Sequence, residues 1–134
     1  MLKVVRAKMT MSVREFNHLL RKPMNTNGFT YCIARSISGI VNEVGAYEWL
    51  CRHSCSKYLY TNGTELDRVL GIDIIEFSGN QNKLETLYSV KSNETDYMLD
   101  MQRGPVVVDE HIFKVRVMMP HPKALNDWKV GIAG

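Results

Sequence analysis

Leu70-Gly-Ile-Asp-Ile-Ile-Glu-Phe77 reads LGIDIIEF, apolar on alternate and on adjacent positions, with Gly71 near its start and Gly79 just past its end. A run this short and apolar on both faces is the pattern of a strand buried inside a sheet. It also carries two carboxylates, Asp73 and Glu76. A carboxylate on a buried strand costs free energy unless it is paired or holds a cation. Asp73, flanked by Ile72, Ile74 and Ile75, is therefore the most suggestive single residue of the chain.

Downstream of this run the pattern stays strand-like. Leu84, Thr86, Tyr88 and Val90 alternate, and so do Thr95, Tyr97, Leu99 and Met101, with Ser92-Asn93-Glu94 as a hairpin turn between them. After the turn at Arg103-Gly104-Pro105, residues 106–119 form one long strand or two short ones, with Phe113, Val115, Val117 and Met119 facing in. Pro120 and Pro122 end it, and the tail GIAG frays unless docked.

Upstream, residues 2–9 alternate as a strand. Ser12-Val13-Arg14-Glu15 is a capping box that opens a short helix ended by Pro23, with Phe16, Leu19 and Leu20 on one face. Asn25-Thr26-Asn27-Gly28 is a turn. Phe29, Tyr31, Ile33 and Ile37 fall on odd positions and suggest a second strand over 29–37. From 41 to 59 the spacing of Val44, Tyr47, Cys51, Cys55 and Tyr58 is helical. The expected fold is α+β: one domain over 1–134, a mainly antiparallel sheet of about five strands, and one or two helices on one face.

The 134 residues, 45% hydrophobic and 23% charged, bury enough surface to fold without a disulfide or metal. No apolar run is long enough to span a membrane, and no membrane partner is expected. Charges interrupt the N-terminal MLKVVRAKMTMSVREF, so it does not read as a signal peptide. Three cysteines, an odd number, suit a reducing cytoplasm. The net charge of +3 is uneven: residues 61–113 hold ten acids against four bases, between basic ends.

Candidate chemistry is sparse. Cys51 and Cys55 are one helical turn apart but lack a second ligand pair, so core packing is expected rather than zinc. The Glu-x-Lys that accompanies a strand carboxylate in many Mg²⁺ nucleases is not found: Glu85 is followed by Thr-Leu, and Lys91 falls too late. There is no glycine-rich phosphate loop and no serine elbow, so no cofactor is expected. A catalytic site would be drawn from Asp73, Glu76, His53, Tyr58 and His111. Phosphate contacts would come from Lys3, Arg6, Lys8, Arg14, Arg21 and Lys22. The absence of a catalytic motif favours a small binding or regulatory protein that docks on a protein or nucleic acid, of the kind common among virus-encoded inhibitors. The alternatives are a small hydrolase or lyase acting on a nucleotide-like substrate, and a structural subunit that forms homo-oligomers through its sheet edges.

Overall fold

A computed structural model describes residues 10–21, 29–61, 64–78 and 83–133, with side chains omitted over 29–38. The elements in chain order are α1 (Val13–Arg21), α2 (Phe29–His53), β1 (Lys57–Tyr60), α3 (Glu65–Leu70), β2 (Ile74–Phe77), β3 (Leu84–Val90), α4 (Glu94–Met101), β4 (Val106–Val108), β5 (His111–Phe113), β6 (Val115–Pro120) and β7 (Trp128–Ile132). The fold is α+β, as the sequence patterning implies. The strands form a five-stranded sheet in the order β1-β2-β3-β6-β7 and a separate β4–β5 hairpin. All neighbours in the large sheet are antiparallel except β3 and β6, which run parallel. A parallel pair needs a crossover, and α4 lies on the connection between them.

The run Leu70–Phe77 divides into three pieces. Leu70 closes α3, Gly71 turns the chain, and β2 starts at Ile74. Gly71 adopts φ 68°, the left-handed conformation of a helix C-cap, and its N–H donates to the Asp67 carbonyl at 2.8 Å. A side chain at this position would also meet the Arg103 guanidinium at 2.6 Å. Ile72, Ile74 and Ile75 are fully buried, as their apolar character requires, and Asp73 is buried among them.

Successive residues then serve opposite faces of the sheet. Ile75, Leu87 and Val117 pack with Phe16 of α1, Leu66 and Leu70 of α3 and Tyr97 of α4. Ile74, Tyr88 and Met118 pack with Ala46 and Leu50 of α2. Helices therefore cover both faces, not one as the sequence suggested. That two-sided burial is why the segment of β2 reads as a nearly continuous apolar run.

Two predicted strands are helices. Residues 29–37 belong to the 25-residue α2. Phe29, Ile33 and Ile37 are spaced by four, which fits a helix as well as a strand. Residues 95–101 belong to α4, whose N-cap Asn93 accepts from the Asp96 N–H at 2.9 Å. That cap overrides the alternation of Thr95, Tyr97, Leu99 and Met101: Tyr97 and Asp100 are buried and Leu99 is exposed. The N-cap half of the capping box is formed, since the Ser12 Oγ accepts from the Glu15 N–H at 3.1 Å at the start of α1. Residues 106–119 give three strands, broken at Asp109 and Glu110, both at positive φ. The tail is docked: β7 pairs with β6, Ala133 is buried, and its N–H donates to the Val115 carbonyl at 2.8 Å. The predicted strand at 2–9 and the turn at 25–28 lie outside the described residues. None of the described helices is long and apolar enough to cross a membrane.

Candidate functional site

Asp73 lies between α3 and β2, with its backbone still in the ladder. Its N–H donates to the Tyr88 carbonyl at 2.8 Å, and its carbonyl accepts from the Thr61 N–H at 2.9 Å. The buried carboxylate accepts from the Val90 N–H at 2.7 Å. Two further carboxylates converge on it, Glu43 from the middle of α2 and Asp67 from α3. Oxygens of the three lie within 4.8 Å of one another. Glu43 also accepts from the Tyr60 hydroxyl at 2.6 Å.

This crowding changes protonation. Burial, reinforced by Asp73, pushes Glu43 up to about 8. Burial and the neighbouring Asp67 charge push Asp73 up to about 8, against the lowering effect of a hydrogen bond from Glu43 and the Val90 N–H. Burial raises Asp67 to about 6. A proton held between Glu43 and Asp73 thus relieves the repulsion that three ionised carboxylates would suffer. A divalent cation would relieve it more fully. In octahedral coordination at roughly 2.0–2.1 Å, neighbouring oxygens stand about 3 Å apart and opposite ones about 4 Å. Three carboxylate oxygens within 4.8 Å of one another are near enough to be drawn onto one such ion.

Lys91 follows β3 directly. Its charge lowers the pKa values of both Glu43 and Asp67, opposing the effect of burial. The ammonium stands 3.8 Å from the buried Asp100 carboxylate, which also pairs with Arg103 at 3.4 Å. Glu43 and Lys91 line one open hollow of about 180 Å³ together with Asn42, Ser92 and Asp96. The β2–β3 hairpin brings Lys91 to the cluster although it stands 18 residues beyond Asp73 in the chain. In the Glu-x-Lys spacing the acidic position is taken by Ser89, fully buried, its Oγ without a hydrogen-bond partner among the described residues. The carboxylates come instead from the two helices.

The other sequence candidates fall elsewhere. Glu76 accepts from the hydroxyls of Tyr88 at 2.8 Å and Tyr58 at 3.2 Å. Burial opposes its ionisation, but hydrogen bonds from Tyr88, Ser56, Tyr58 and Thr86 prevail and hold its pKa below the ordinary value. Tyr58 is raised by burial and faces this same carboxylate. Glu76 and Tyr58 form a satisfied structural network outside the acidic cluster. His53 ends α2, stacked on Trp49 with ring centroids 4.2 Å apart. His111 opens β5 in a hollow with Lys83, Glu110 and Phe113. Arg14 and Arg21 are exposed on α1, whereas Lys3, Arg6, Lys8 and Lys22 lie outside the described residues. Cys51 and Cys55 are exposed thiols, not core residues. α2 ends at His53 and turns its Ala46 and Leu50 side inward, which leaves Cys51 facing out and Cys55 beyond the helix.

Glu43 and Asp67 escaped the sequence reading. Asp67 carries no signal, because an acid in the first turn of a helix is ordinary. Glu43 carries one: it is the only charged residue between Arg35 and Glu48, in as apolar a setting as Asp73. No protein family model, no curated protein and no solved structure matches this chain.

Proposed function

We propose that the chain is a divalent-metal-dependent hydrolase that cleaves phosphodiester bonds in a nucleotide-like substrate. The observation that carries this reading is the convergence of Glu43, Asp67 and Asp73 within 4.8 Å, with Glu43 and Lys91 on the wall of an open hollow and Asp73 buried behind it. Three hard oxygen ligands suit Mg²⁺ or Mn²⁺. A bound cation lowers the pKa of its water and polarises a phosphoryl oxygen. A cation held by Glu43, Asp67 and Asp73 would supply an activated water for hydrolysis: the new phosphorus–oxygen bond would form as the bond to the leaving oxygen breaks, and the proton the attacking water gives to solvent would be balanced by the one the leaving oxygen takes up. The Lys91 ammonium stabilises the charge that builds on the phosphoryl oxygens. Asp100 holds the lysine from behind at 3.8 Å.

The test is cleavage of single-stranded and duplex nucleic acid with Mg²⁺ or Mn²⁺. Activity is expected with metal and absent with EDTA. Lys91→Ala should lower it by about a hundredfold, the scale of one lost electrostatic contact to the transition state. No cleavage with either metal, together with no Mn²⁺ binding by calorimetry, would end this reading.

A second reading, docking on a macromolecular partner, is supported by one patch. Ile40, Val41 and Val44 are exposed along α2, Val41 to 67%. Val41→Lys leaves cleavage unchanged and abolishes partner capture if this reading holds.

A further inference from the structure

The outer side of α2 lines a second, larger space. Asn42, Gly45, Trp49 and Arg52 recur at three or four residues and so share one helix face, beside the one that buries Ala46 and Leu50. With the loop from Pro120 to Trp128 they line an open cavity of about 910 Å³. Both tryptophans of the chain and two of its four histidines, His53 and His121, line it. Gly45 lets the Trp128 indole lie against the helix, since a Cβ there would stand 3.3 Å from the ring. Trp49 is braced by the stacked His53, whose Nδ1 is 2.7 Å from the Trp49 carbonyl oxygen. Leu125, 93% exposed, projects at the rim.

Asn42 belongs both to this cavity and to the hollow of Glu43 and Lys91, so the two spaces adjoin. From Asn42 to His53 the helix runs roughly 16 Å at 1.5 Å per residue. A stacked strand advances about 3.4 Å per nucleotide, so four or five nucleotides fit that length. The lining is aromatic and amide-rich, and its carboxylates Glu48 and Asp127 oppose the single Arg52. Such a wall offers flat rings and hydrogen-bonding groups to base faces and edges, and its carboxylates turn the phosphates of a bound strand away from it.

We propose that this cavity is a substrate subsite that takes the unpaired bases of a single nucleic-acid strand and delivers its backbone, past Asn42, to the carboxylates. The proposal rests on the hydrolase reading for its direction and on the cavity for its chemistry. Free nucleotides share the base chemistry but lack the length, and a duplex hides its bases.

The experiment is a titration of the protein's own tryptophan fluorescence in EDTA, where no cleavage occurs, with an oligothymidylate of about 12 nucleotides. Quenching is expected, with much weaker binding of thymidine monophosphate and of a blunt duplex. Trp49→Ala should weaken strand binding by about tenfold or more, in line with the loss of one stacked base. His121→Ala and Leu125→Ala, at exposed positions, should weaken it by a smaller factor and serve if Trp49→Ala unfolds. A monophosphate or a duplex bound as tightly as the strand overturns the proposal. So does parental affinity in folded variants. Strand cleavage that these variants leave untouched overturns the subsite and spares the hydrolase. Strand binding lost in the variants, with no cleavage under Mg²⁺ or Mn²⁺, upholds the subsite and ends the hydrolase reading.

Discussion

Asp73 and Glu76 stand three residues apart on one segment, and their surroundings treat them in opposite ways. Glu76 meets donors: two tyrosine hydroxyls reach it, and its pKa falls below the ordinary value despite burial. Asp73 meets other acids, and its pKa rises to about 8. A carboxylate ringed by donors is complete as it stands. A carboxylate ringed by carboxylates is stable only with a shared proton or a cation. The contrast separates an acid satisfied by donors from an acid crowded by acids where the sequence shows only two acids in one apolar run.

The sharpest way to break this comparison is to neutralise each acid in turn. Asp73→Asn should reduce metal-dependent cleavage by about a hundredfold or more, since even outer-sphere changes at metal sites cost 10–100-fold. It should leave the metal-free protein about as stable at neutral pH, where the carboxyl it replaces is already protonated, and more stable above about pH 8, where that carboxyl would ionise among other acids. Glu76→Ala should do the reverse, with cleavage retained and stability lower by about 1–3 kcal/mol as the two tyrosine hydroxyls lose their acceptor. Assays of activity and thermal melting on the same two variants decide it. A dead Glu76→Ala or a fully active Asp73→Asn would dissolve the distinction.

Acidity offers a second lever, intermediate in size. In the folded protein Glu43 and Asp73 keep protons up to about pH 8 and Asp67 up to about pH 6, against ordinary values of 4.5 for Glu and 3.8 for Asp. Between about pH 4 and pH 8 the folded state therefore binds more protons than the unfolded chain, so stability without metal falls as pH rises through that window. Glu76 acts in the opposite sense. Its contribution is present above its ordinary value and is lost as pH falls through the lowered one. Melts in EDTA from about pH 5 to about pH 8.5 should show the decline set by the cluster. Mg²⁺ at a hundred times its dissociation constant should restore about 2.7 kcal/mol at the upper end. A melting temperature that ignores both pH and Mg²⁺ would refute the cluster as a cation site.

The smallest effect is expected at Tyr60, the donor to Glu43 at 2.6 Å. Tyr60→Phe removes the contact that favours ionised Glu43, so metal affinity should fall by about tenfold while folding is kept. Calorimetric titration with Mn²⁺ measures it, and unchanged affinity would show that the tyrosine plays no part in presenting Glu43.

Much of the fold is legible where burial acts alone. The β3 strand, the apolar core of LGIDIIEF and the capped α1 all follow from patterning and one cap. The reading fails where two periods coincide, as at Phe29, Ile33 and Ile37, or where a local hydrogen bond decides, as at Asn93 before α4. Of the candidate site, Asp73 is legible because an acid among isoleucines is costly. Lys91 is not, because a hairpin and not sequence distance sets its neighbours. Glu43 would have surfaced had the test applied to Asp73 been applied to the helix.

The position of β7 at the edge of the sheet has a consequence for how the molecule opens. β7 is held by one ladder, to β6, and it brings Trp128 to the cavity. Glu43, Asp67 and Asp73 lie on α2, on α3 and before β2, none of which neighbours β7 in the sheet. A partial unfolding confined to that edge would strip one wall from the cavity and leave the carboxylates assembled. Amide exchange should therefore run faster through Trp128–Ile132 than through the central strands β2 and β3, and slowest at the Val90 amide, tied to Asp73.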